Sequence, residues 1–457
     1  QGGTDEEECL RLARLLGASS NLLPTGGGSI SFKHQQQNIF GEDEPALTIS
    51  ACGTSLATLG ENGLTTLWRT QLDKGLGLTA LAGGDLAELL ASSKIHSQLP
   101  EPSKKGLLHA AIHERVVVVI RPEAVLAILS VKDAGSLVEK VFKGQVAWVP
   151  FRADGLAAAQ AARQAWQTGV SGVVMQHNGL MVAGPDFGTV YERAMELAEL
   201  AEAYLTNQKA WDVMPISASP VQVIKEDLAQ ERKRISEMIG QPVILRLCSD
   251  PWLSEMAMRG EVEPTLQAHL VPEDIPLLGL CPYNDQAPEA YLAACREHLG
   301  DRIPMPRVIR HSQLGLCFSG PDAVETRQEE MVFSQHVKTM LRGERLGEID
   351  AFDPGLAAEV LCQALSQPAP MRGEIALVTG AASGIGKACV DSFLSRGAAV
   401  VGLDINPAVA TMMDRPDFLG IPCDISNEEA VRMAVERTAQ TFGGLDMLVL
   451  NAGVFPS

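Results

Sequence analysis

The sequence lacks the long apolar run that a membrane-spanning helix requires. Its run of β-branched residues at Val116–Ile120 is short and lies between Arg115 and Arg121. A transmembrane helix needs roughly 18 or more consecutive apolar residues. The first residues, Gln1–Thr4, precede an acidic stretch and have neither the basic start nor the apolar core of a signal peptide. We therefore expect no membrane partner.

Basic residues and paired cysteines are also scarce. The chain has 37 Lys and Arg against 56 Asp and Glu, which gives a formal net charge of -19. An excess of negative charge repels nucleic acid and anionic lipid, so we expect neither as a partner. The 9 cysteines are an odd number without a C-x-x-C pair. This pattern favours reduced thiols and a cytoplasmic location over a disulfide framework.

The length indicates more than one domain. Apolar residues make up 46% of the 457 residues, and roughly 150 residues per domain favours two or three domains. We predict three regions, 1–213, 214–366 and 371–457. The first boundary is a segment rich in Pro, Ser and Ala at 214–220, and the second is Ser366–Pro370, whose prolines cannot continue a helix.

The first two regions alternate strands and helices, as α/β proteins do. In the first region we predict a helix at Tyr191–Tyr204 and strands at Thr48–Ser50, Val116–Ile120 and Gly172–Met175. In the second we predict strands at Val243–Leu245 and Arg307–Ile309, and helices at 286–298 and 322–342. The second region carries no recognisable motif, so its role stays unknown.

The third region begins with a strand, a glycine turn and a helix. Ile375–Val378 is apolar without alternation, as expected of a buried parallel strand. Thr379–Gly386 follows, with glycines at 380, 384 and 386, and then a helix at Lys387–Ser395. Such a turn lets the backbone approach a pyrophosphate at the helix N-terminus. The glycine spacing alone is a weak signal, and its strand and helix context strengthens it.

Acidic residues follow the next two predicted strands. Ala398–Leu403 ends at Asp404, where a carboxylate accepts both ribose hydroxyls of NAD and disfavours a 2′-phosphate. Gly420–Ile425 is the third predicted strand, and it ends in Asp424. A helix at Glu428–Phe442 and a strand at Leu445–Leu450 complete four strands and three helices. These elements predict half of a doubly wound sheet with a cofactor crevice at its carboxyl edge.

Residues 371–457 resemble the short-chain dehydrogenase/reductase family. The matching motifs are T-G-x-x-x-G-I-G at Thr379, an acidic residue after the second strand, Asp after the third, and N-A-G at Asn451. The resemblance implies that the turn wraps the pyrophosphate, Asp404 holds the adenosine ribose, Asp424 and its neighbour meet the adenine, and the N-A-G residues line the ribose side. The predicted NAD-binding residues are Gly380, Ser383, Gly384, Ile385, Gly386, Asp404, Ile405, Asp424, Ile425, Asn451, Ala452 and Gly453.

The catalytic residues of that family are missing from the sequence. The family uses a Ser, and a Tyr with a Lys four residues later, to exchange a proton with the substrate. None of the four tyrosines has such a Lys; they are Tyr191, Tyr204, Tyr283 and Tyr291. We therefore name no catalytic residue and expect the catalytic half to lie beyond Ser457. Should the chain end there, the last parallel strand would be an exposed edge, and we expect this segment to be poorly ordered.

The first region contains two histidines at a helical spacing. His109 and His113 are four residues apart in a predicted helix, a spacing that suits metal chelation but more often marks a surface or capping feature. The region resembles the class II aldolase/adducin family, on Gly26–Ser31, Cys52–Thr58, Pro102–Ser103 with Leu107–Ala110, and Gln176–Leu180. The domain order matches fused rhamnulose-phosphate aldolase/short-chain dehydrogenase proteins.

This region departs from the aldolase pattern at the metal site. Active members hold a divalent metal with a His-x-His pair and a third His, and the metal stabilises an enediolate. Val119 and Arg121 stand where the pair belongs, and Lys105 stands in place of the catalytic Glu; only His177 matches. One imidazole does not hold zinc. We therefore predict that the region binds no metal and has lost aldolase chemistry. The remaining roles are packing, oligomerisation or binding of an anion at Arg121 and Lys105.

Together these patterns predict an α/β protein. It would have an aldolase-like α/β/α domain, an additional α/β region and the first half of a Rossmann-type sheet. The favoured function is an NAD-dependent oxidoreductase that acts on a small, sugar-derived hydroxyl or carbonyl compound. The alternatives are a catalytically silent binding or scaffold protein and, ranked last, a metal-dependent sugar-phosphate aldolase. Both families favour symmetric assemblies, so we expect a homo-oligomer. The sequence does not identify the substrate.

Overall fold

A computed structural model describes residues 3–19, 21–23, 27–81, 83–153, 155–166, 169–213, 225–258, 271–300, 302–364 and 370–453. The chain forms two compact units. Unit 1 comprises residues 1–213 and 338–351, and unit 2 comprises 214–337 and 352–457. The predicted boundary at 214–220 lies outside the described residues, as does the predicted linker except for Pro370. The division into three regions therefore stays a prediction.

Unit 1 contains a seven-stranded sheet between two layers of helices. Its strand order is β3-β2-β1-β4-β7-β6-β5, and all neighbours are antiparallel except β5 and β6. The strands are β1 (Ser29–Gln37), β2 (Asp43–Ser50), β3 (Leu64–Trp68), β4 (Val116–Ile120), β5 (Val146–Val149), β6 (Gly172–Met175) and β7 (Gly179–Gly184). The helices are α1 (Asp5–Ala18), α2 (Arg69–Leu76), α3 (Gly83–Ser92), α4 (Gly106–Ala111), α5 (Glu123–Leu129), α6 (Ala134–Phe142), α7 (Gly155–Ala165) and α8 (Phe187–Asn207).

The central strand β4 shows why the sheet is covered on both faces. Val116, Val118 and Ile120 belong to one hydrophobic core, and Val117 and Val119 belong to the other. Successive side chains of a strand point to opposite faces, so an apolar run without alternation predicts burial on both sides. The strands predicted at 116–120 and 172–175 are confirmed with those bounds, and the predicted helix 191–204 lies within α8.

The middle of the chain forms a four-stranded sheet in unit 2, with the order β8-β11-β10-β9. The strands are β8 (Ile244–Leu247), β9 (Tyr283–Asn284), β10 (Val308–His311) and β11 (Gly315–Gly320). The helices here are α9 (Lys225–Ile239), α10 (Pro251–Ala257), α11 (Ile275–Leu278), α12 (Pro288–Leu299), α13 (Ala323–Glu344) and α14 (Pro354–Ala364), and residues 338–344 of α13 belong to unit 1. Both predicted strands and both predicted helices of this region are confirmed within a few residues.

The last part of unit 2 is a parallel sheet with the order β14-β13-β12-β15. Its strands are β12 (Ile375–Thr379), β13 (Ala399–Asp404), β14 (Phe418–Pro422) and β15 (Met447–Val449), and its helices are α15 (Gly384–Ser395) and α16 (Glu428–Phe442). The two helices cover opposite faces, because Val390 packs with Val378 whereas Phe442 packs with Leu377. This order is that of the first half of a doubly wound sheet, which confirms the predicted fold class.

One detail of the predicted half-sheet is wrong. The third strand is predicted to end in Asp424, but it ends at Pro422 and leaves Asp424 in the following turn. The predicted count of three helices is met by α15, α16 and a 3-10 helix, Pro407–Thr411, in the connection between β13 and β14.

Candidate functional site

The glycine turn after β12 is too tight for side chains at two positions. Gly380 has a φ of 70°, in the left-handed region that favours glycine. A Cβ atom on Gly386 would lie 2.0 Å from the carbonyl oxygen of Gly380. The amide groups of Gly380 and Ala381 donate to the carbonyl oxygen of Leu403, at 2.8 and 3.1 Å. The turn is therefore held against the end of β13, with its backbone drawn close to the start of α15.

The N-terminus of α15 is open to solvent. Ser383 is the N-cap residue, and its side chain makes no capping hydrogen bond. Ser383, Gly384 and Ile385 are exposed, and Ile385 has 75% of its surface accessible although it is apolar. The first amide groups of a helix and its dipole favour an anion. This end of α15 can therefore accept a phosphate group without any rearrangement of a capping side chain.

Asn451 ties the end of β15 to the turn. Its Nδ2 atom donates to the carbonyl oxygens of Thr379 and Gly380, at 3.1 and 3.4 Å. The hydroxyl of Thr379 accepts the amide groups of Asn451 and Ala452, both at 3.0 Å. Thr379 was not among the predicted site residues, although its place directly before the first glycine was a usable signal. Gly453 follows in the same segment, and a Cβ atom there would meet open space.

Asp404 lies at the carboxyl end of β13, next to the turn. Its Oδ2 atom accepts the amide of Ala382 at 2.9 Å, and its Oδ1 atom accepts the amide of Asn406 at 2.9 Å. A carboxylate oxygen accepts more than one hydrogen bond, so both atoms keep capacity for a ligand hydroxyl. The neighbouring Ile405 has 75% of its surface exposed. The side chain of Asp404 is thus fixed by backbone groups while an apolar surface beside it faces solvent.

Asp424 is held in a turn beyond β14. Its Oδ1 atom accepts the amide and the hydroxyl of Ser426, at 2.9 and 2.7 Å. These hydrogen bonds lower the pKa of the Asp424 carboxyl group below its usual value. Ile425 beside it has 45% of its surface exposed. The structure thus places the predicted residues along one edge, at or just beyond the carboxyl ends of the four parallel strands.

In unit 1, His109 is fully buried between two serine hydroxyls. Its Nε2 atom is 2.7 Å from Oγ of Ser29, and its Nδ1 atom is 2.8 Å from Oγ of Ser31. Burial, and then the positive charges of Lys33 and Lys105, hold the pKa of His109 well below its usual value. The imidazole is therefore neutral, and one ring nitrogen donates while the other accepts. Both nitrogens are satisfied by the protein itself.

The predicted helical pair of His109 and His113 is wrong. Helix α4 ends at Ala111, so only His109 lies on it. The side chain of His113 is 76% exposed and lies 3.5 Å from a carboxylate oxygen of Glu114. The chain has to extend after Ala111 in order to enter β4, and this excludes a further helical turn. The two imidazoles therefore cannot share a metal ion from one helix face.

Lys33 is a buried charged group that the sequence analysis did not single out. It follows Ser29 and Ser31 at spacings of two on β1, so the three side chains share one face of the sheet. Its Nζ atom donates to the carbonyl oxygen of Glu114 at 2.6 Å. Burial, and then the charge of Arg69, lower the pKa of Lys33 to about 7. The i, i+2 pattern was the available signal, but burial depends on tertiary packing.

The residues aligned with the aldolase metal site lie at neighbouring strand ends. Val119 is fully buried in β4, and Arg121 follows the same strand and is 6% exposed. A Cβ atom on Gly179 would lie 2.5 Å from the carbonyl oxygen of Ile120, which places the turn that carries His177 beside the end of β4. Of the stretch Gly26–Ser31 that resembles the aldolase family, residue 26 lies outside the described residues.

His177 is enclosed by groups from several segments of unit 1. It is 7% exposed, and its ring meets that of Phe151 edge to face at 5.4 Å. Its Nε2 atom lies 3.8 Å from Oδ2 of Asp350, and the same oxygen accepts Nε2 of Gln176 at 2.6 Å. Among the described residues, no group of three or more His, Cys, Asp or Glu is placed to hold a metal ion. Within the same residues, no helix has the length and apolar character to cross a bilayer.

Comparison with known families matches two parts of the chain. Residues 7–205 match the class II aldolase and adducin N-terminal domain, and residues 374–457 match the short chain dehydrogenase family. The uncharacterized oxidoreductase YuxG of Bacillus subtilis is 22% identical over 99% of this chain and 73% of its own length. The chain therefore joins a class II aldolase domain to a short-chain dehydrogenase domain, in that order.

Further relatives match one part of the chain each. D-threitol dehydrogenase of Mycolicibacterium smegmatis is 40% identical over 18% of this chain and 34% of its own length. The chain thus spans about a third of the length of this dehydrogenase. The solved N-terminal class II aldolase domain of a conserved protein from Thermoplasma acidophilum covers 45% of this chain and 95% of its own, with 22% identity and a TM-score of 0.43.

Proposed function

We propose that the protein is an NAD-dependent oxidoreductase of the short-chain dehydrogenase type, which acts on a small, sugar-derived hydroxyl or carbonyl compound. The observation that carries this proposal is the open turn at Gly380–Gly386 with Asp404 beside it. The turn offers the uncapped N-terminus of α15 to a pyrophosphate. When bound, the cofactor would supply or accept the hydride of the reaction.

The preference for NAD rests on Asp404. Two backbone amides orient its carboxylate, and the exposed Ile405 beside it offers apolar contact to an adenine ring. A fixed carboxylate accepts the two hydroxyls of an adenosine ribose and repels a 2′-phosphate. Asp424 and Ile425 would meet the adenine, and Asn451, Ala452 and Gly453 would line the other ribose. These assignments concern cofactor binding, and no residue of the sequence is assigned the proton transfer.

Titration of the chain with NADH and with NADPH tests this proposal. We expect NADH to bind at least about tenfold more tightly than NADPH, which corresponds to one well-oriented polar interaction. Tighter binding of NADPH would contradict the assignment of Asp404. Absence of binding by both nucleotides would favour the alternative of a silent binding or scaffold protein.

We further propose that the class II aldolase domain has lost metal-dependent aldol chemistry. Val119 and Arg121 replace two of the three expected imidazole ligands, and Arg121 would repel a divalent cation. The remaining His177 packs against Phe151 and lies near the Asp350 carboxylate. Elemental analysis after incubation with zinc should find less than one tightly held ion per chain. A stoichiometric ion at His177, with cleavage of a sugar phosphate, would overturn this proposal.

A further inference from the structure

The four-stranded sheet of unit 2 has the same topology as four adjacent strands of the seven-stranded sheet of unit 1. The order β8-β11-β10-β9 corresponds to β4-β7-β6-β5. In each set the first three strands are antiparallel neighbours and the last pair is parallel. The helices between them also correspond: α10 follows β8 as α5 follows β4, and α12 joins β9 to β10 as α7 joins β5 to β6.

The register of the two sheets is also the same. In the hairpin of unit 1, Gly172 pairs with Val182. In the hairpin of unit 2, Val308 pairs with Phe318, and each of these two residues lies 136 positions after its counterpart in unit 1. The same offset relates the parallel pair Ala147 and Val173 to the pair Tyr283 and Ile309. The strand pair Val116 and Gly184 corresponds to Ile244 and Gly320. Two α/β sheets that resemble each other by chance are not expected to keep the same residue offset in three strands. The constant offset therefore favours a repeated fold.

The connections into the following helices are built alike. Gly184-Pro185-Asp186 leads from β7 into α8, and Oδ1 of Asp186 accepts the amide of Thr189 at 2.8 Å. Gly320-Pro321-Asp322 leads from β11 into α13, and Oδ1 of Asp322 accepts the amide of Glu325 at 2.8 Å. Each Asp caps the first turn of a long helix. The same sequence and the same cap thus recur at the same place in both sheets.

The second sheet lacks an imidazole at the position of His177 and, among the described residues, the outer strands of the first sheet. The strand register aligns Val119 with Leu247, and the hairpin offset aligns His177 with Gln313, so neither position offers an imidazole. In unit 1, β4 has β1 as its other neighbour, whereas β8 is an edge strand among the described residues. The second sheet therefore keeps the strand topology of the first and has no histidine at the position of His177.

The dehydrogenase segment packs against β8. Ile244 belongs to the same hydrophobic core as Ile375, Leu377 and Phe442 of the parallel sheet and its helix α16. A Cβ atom on Gly443 would lie 2.8 Å from the carbonyl oxygen of Leu245. This close approach means that the turn after α16 fits β8 only without a side chain.

Arg232 of α9 joins the two parts of unit 2 with its whole guanidinium group. Its Nε atom donates to the carbonyl oxygen of Val243 at 2.6 Å, and Nη2 donates to that of Gly373 at 3.0 Å. Nη1 and Nη2 donate to the two carboxylate oxygens of Asp446, at 2.9 and 2.6 Å. Asp446 Oδ2 in turn accepts the amide of Ile375 at 2.8 Å. Arg232 is 7% exposed, so this bidentate pair is shielded from solvent.

We propose that the described residues among 225–337 form a shortened second copy of the fold of unit 1, that this copy is the docking base of the dehydrogenase segment, and that Arg232 is its positioning residue. Asp446 precedes β15 and Ile375 begins β12, so Arg232 fixes the starts of two adjacent strands. The other ends of those strands carry Thr379, Gly380 and Asn451. The docking role does not depend on which nucleotide the turn binds.

Hydrogen exchange of the full chain without nucleotide tests the docking role. In Arg232→Met, the amides of 375–379 and 447–449 should exchange at least about 30-fold faster, because a buried bidentate pair is broken. Amides of 116–120 in unit 1 should keep their rates. The matched control is Arg234→Met on the same helix, since Arg234 pairs with Glu231 instead. Equal rates at 375–379 in the Arg232 and Arg234 variants would overturn the proposal.

Two further variants keep the test decisive if Arg232→Met does not fold. Asp446→Asn should accelerate the same amides, and Arg232→Lys should have an intermediate effect, because one ammonium group cannot replace a bidentate fork. Acceleration spread equally over both units would contradict a docking role. As a second measurement, the Kd for NADH should rise about tenfold in Arg232→Lys and stay unchanged in Arg234→Met. If the wild-type chain binds no nucleotide, the proposed function fails while the exchange result still decides the docking proposal.

Discussion

The glycine turn of unit 2, Gly380–Gly386, is partly exposed to solvent, whereas the serine-histidine cluster of unit 1, formed by Ser29, Ser31 and His109, is buried. At the turn, the polar groups of Ser383 and Gly384 lie at the surface, and the helix end has no side-chain cap. In the cluster, His109 is enclosed, and both of its nitrogens contact serine hydroxyls of the protein. A site that binds a ligand has to leave polar groups unsatisfied until the ligand arrives. The turn meets this condition, whereas the cluster supplies its own partners.

The largest expected effect comes from Gly386→Ala. The added Cβ would lie 2.0 Å from the carbonyl oxygen of Gly380, and backbone atoms cannot move aside as a flexible side chain can. We expect at least about 100-fold weaker NADH binding, with a loss of stability of about 1–3 kcal/mol from overpacking. Isothermal titration and denaturant unfolding measure the two effects. Gly60→Ala in unit 1 is the control, because a Cβ there meets open space; unchanged NADH affinity in Gly386→Ala would show that the turn does not bind the nucleotide.

His109→Ala should have the next largest effect, and on stability alone. The substitution leaves a cavity and removes the hydrogen-bond partner of two buried hydroxyls. We expect a loss of about 2–4 kcal/mol in the free energy of unfolding, with unchanged nucleotide affinity. His113→Ala is the matched control, since its exposed side chain should change stability by less than about 0.5 kcal/mol. An unaltered unfolding midpoint in His109→Ala would show that the cluster is not structural.

Asp404→Asn should have a moderate effect that is confined to nucleotide choice. The amide keeps the size of the side chain but loses the charge that opposes a 2′-phosphate. We expect NADH to bind about tenfold more weakly, because the charged acceptor for its ribose hydroxyls is lost. NADPH should change little, because the lost ribose contact offsets the lost repulsion of its 2′-phosphate, so the preference for NADH narrows. Parallel titrations with both nucleotides give the ratio, and Asp414→Asn serves as a control acidic position outside the site. An unchanged ratio of NADH affinity to NADPH affinity would show that Asp404 does not determine the preference.

Much of the parallel sheet was predictable because its signals are local. The strand at 375–379 is an unbroken apolar run, and the glycines and Asp404 follow strands at fixed spacing. The same reasoning predicted β4, whose valines fill two cores. In each case the signal lies within a few residues of one chain segment, so a single sequence contains it.

The features that escaped prediction depend on residues far apart in the chain. The contacts of His109 join α4 to β1 across about 80 positions, and those of Arg232 with Asp446 span 214 positions. The repeated sheet also escaped, because the aligned strands share only Gly179-Leu180 with Gly315-Leu316 and the Gly-Pro-Asp connection that follows, which is a short match. Backbone pairing between strands does not depend on which apolar residue fills a position. Two sheets can therefore keep the same strand order and register after their side chains have diverged.

The smallest expected effect is a pH dependence of stability that arises from Lys33. Burial lowers the pKa of Lys33 to about 7 in the folded protein, whereas an unfolded lysine has a pKa near 10.4. Between these values the unfolded chain binds more protons, so the contribution of Lys33 to stability rises with pH. It is fully present above about pH 10.4 and is lost as the pH falls to about 7.

Comparison of the wild type with Lys33→Met isolates this contribution, because the titration of other groups, such as the buried Glu329, is common to both proteins. We expect the difference in unfolding free energy between wild type and variant to shift by about 1 kcal/mol in favour of the wild type from pH 7 to pH 8. Denaturant unfolding at these two pH values measures the shift. A difference that does not change with pH would mean that Lys33 keeps an ordinary pKa. The polar row of Ser29, Ser31 and Lys33 would then be open to water, and the contrast between the enclosed cluster and the open turn would be weaker than the geometry indicates.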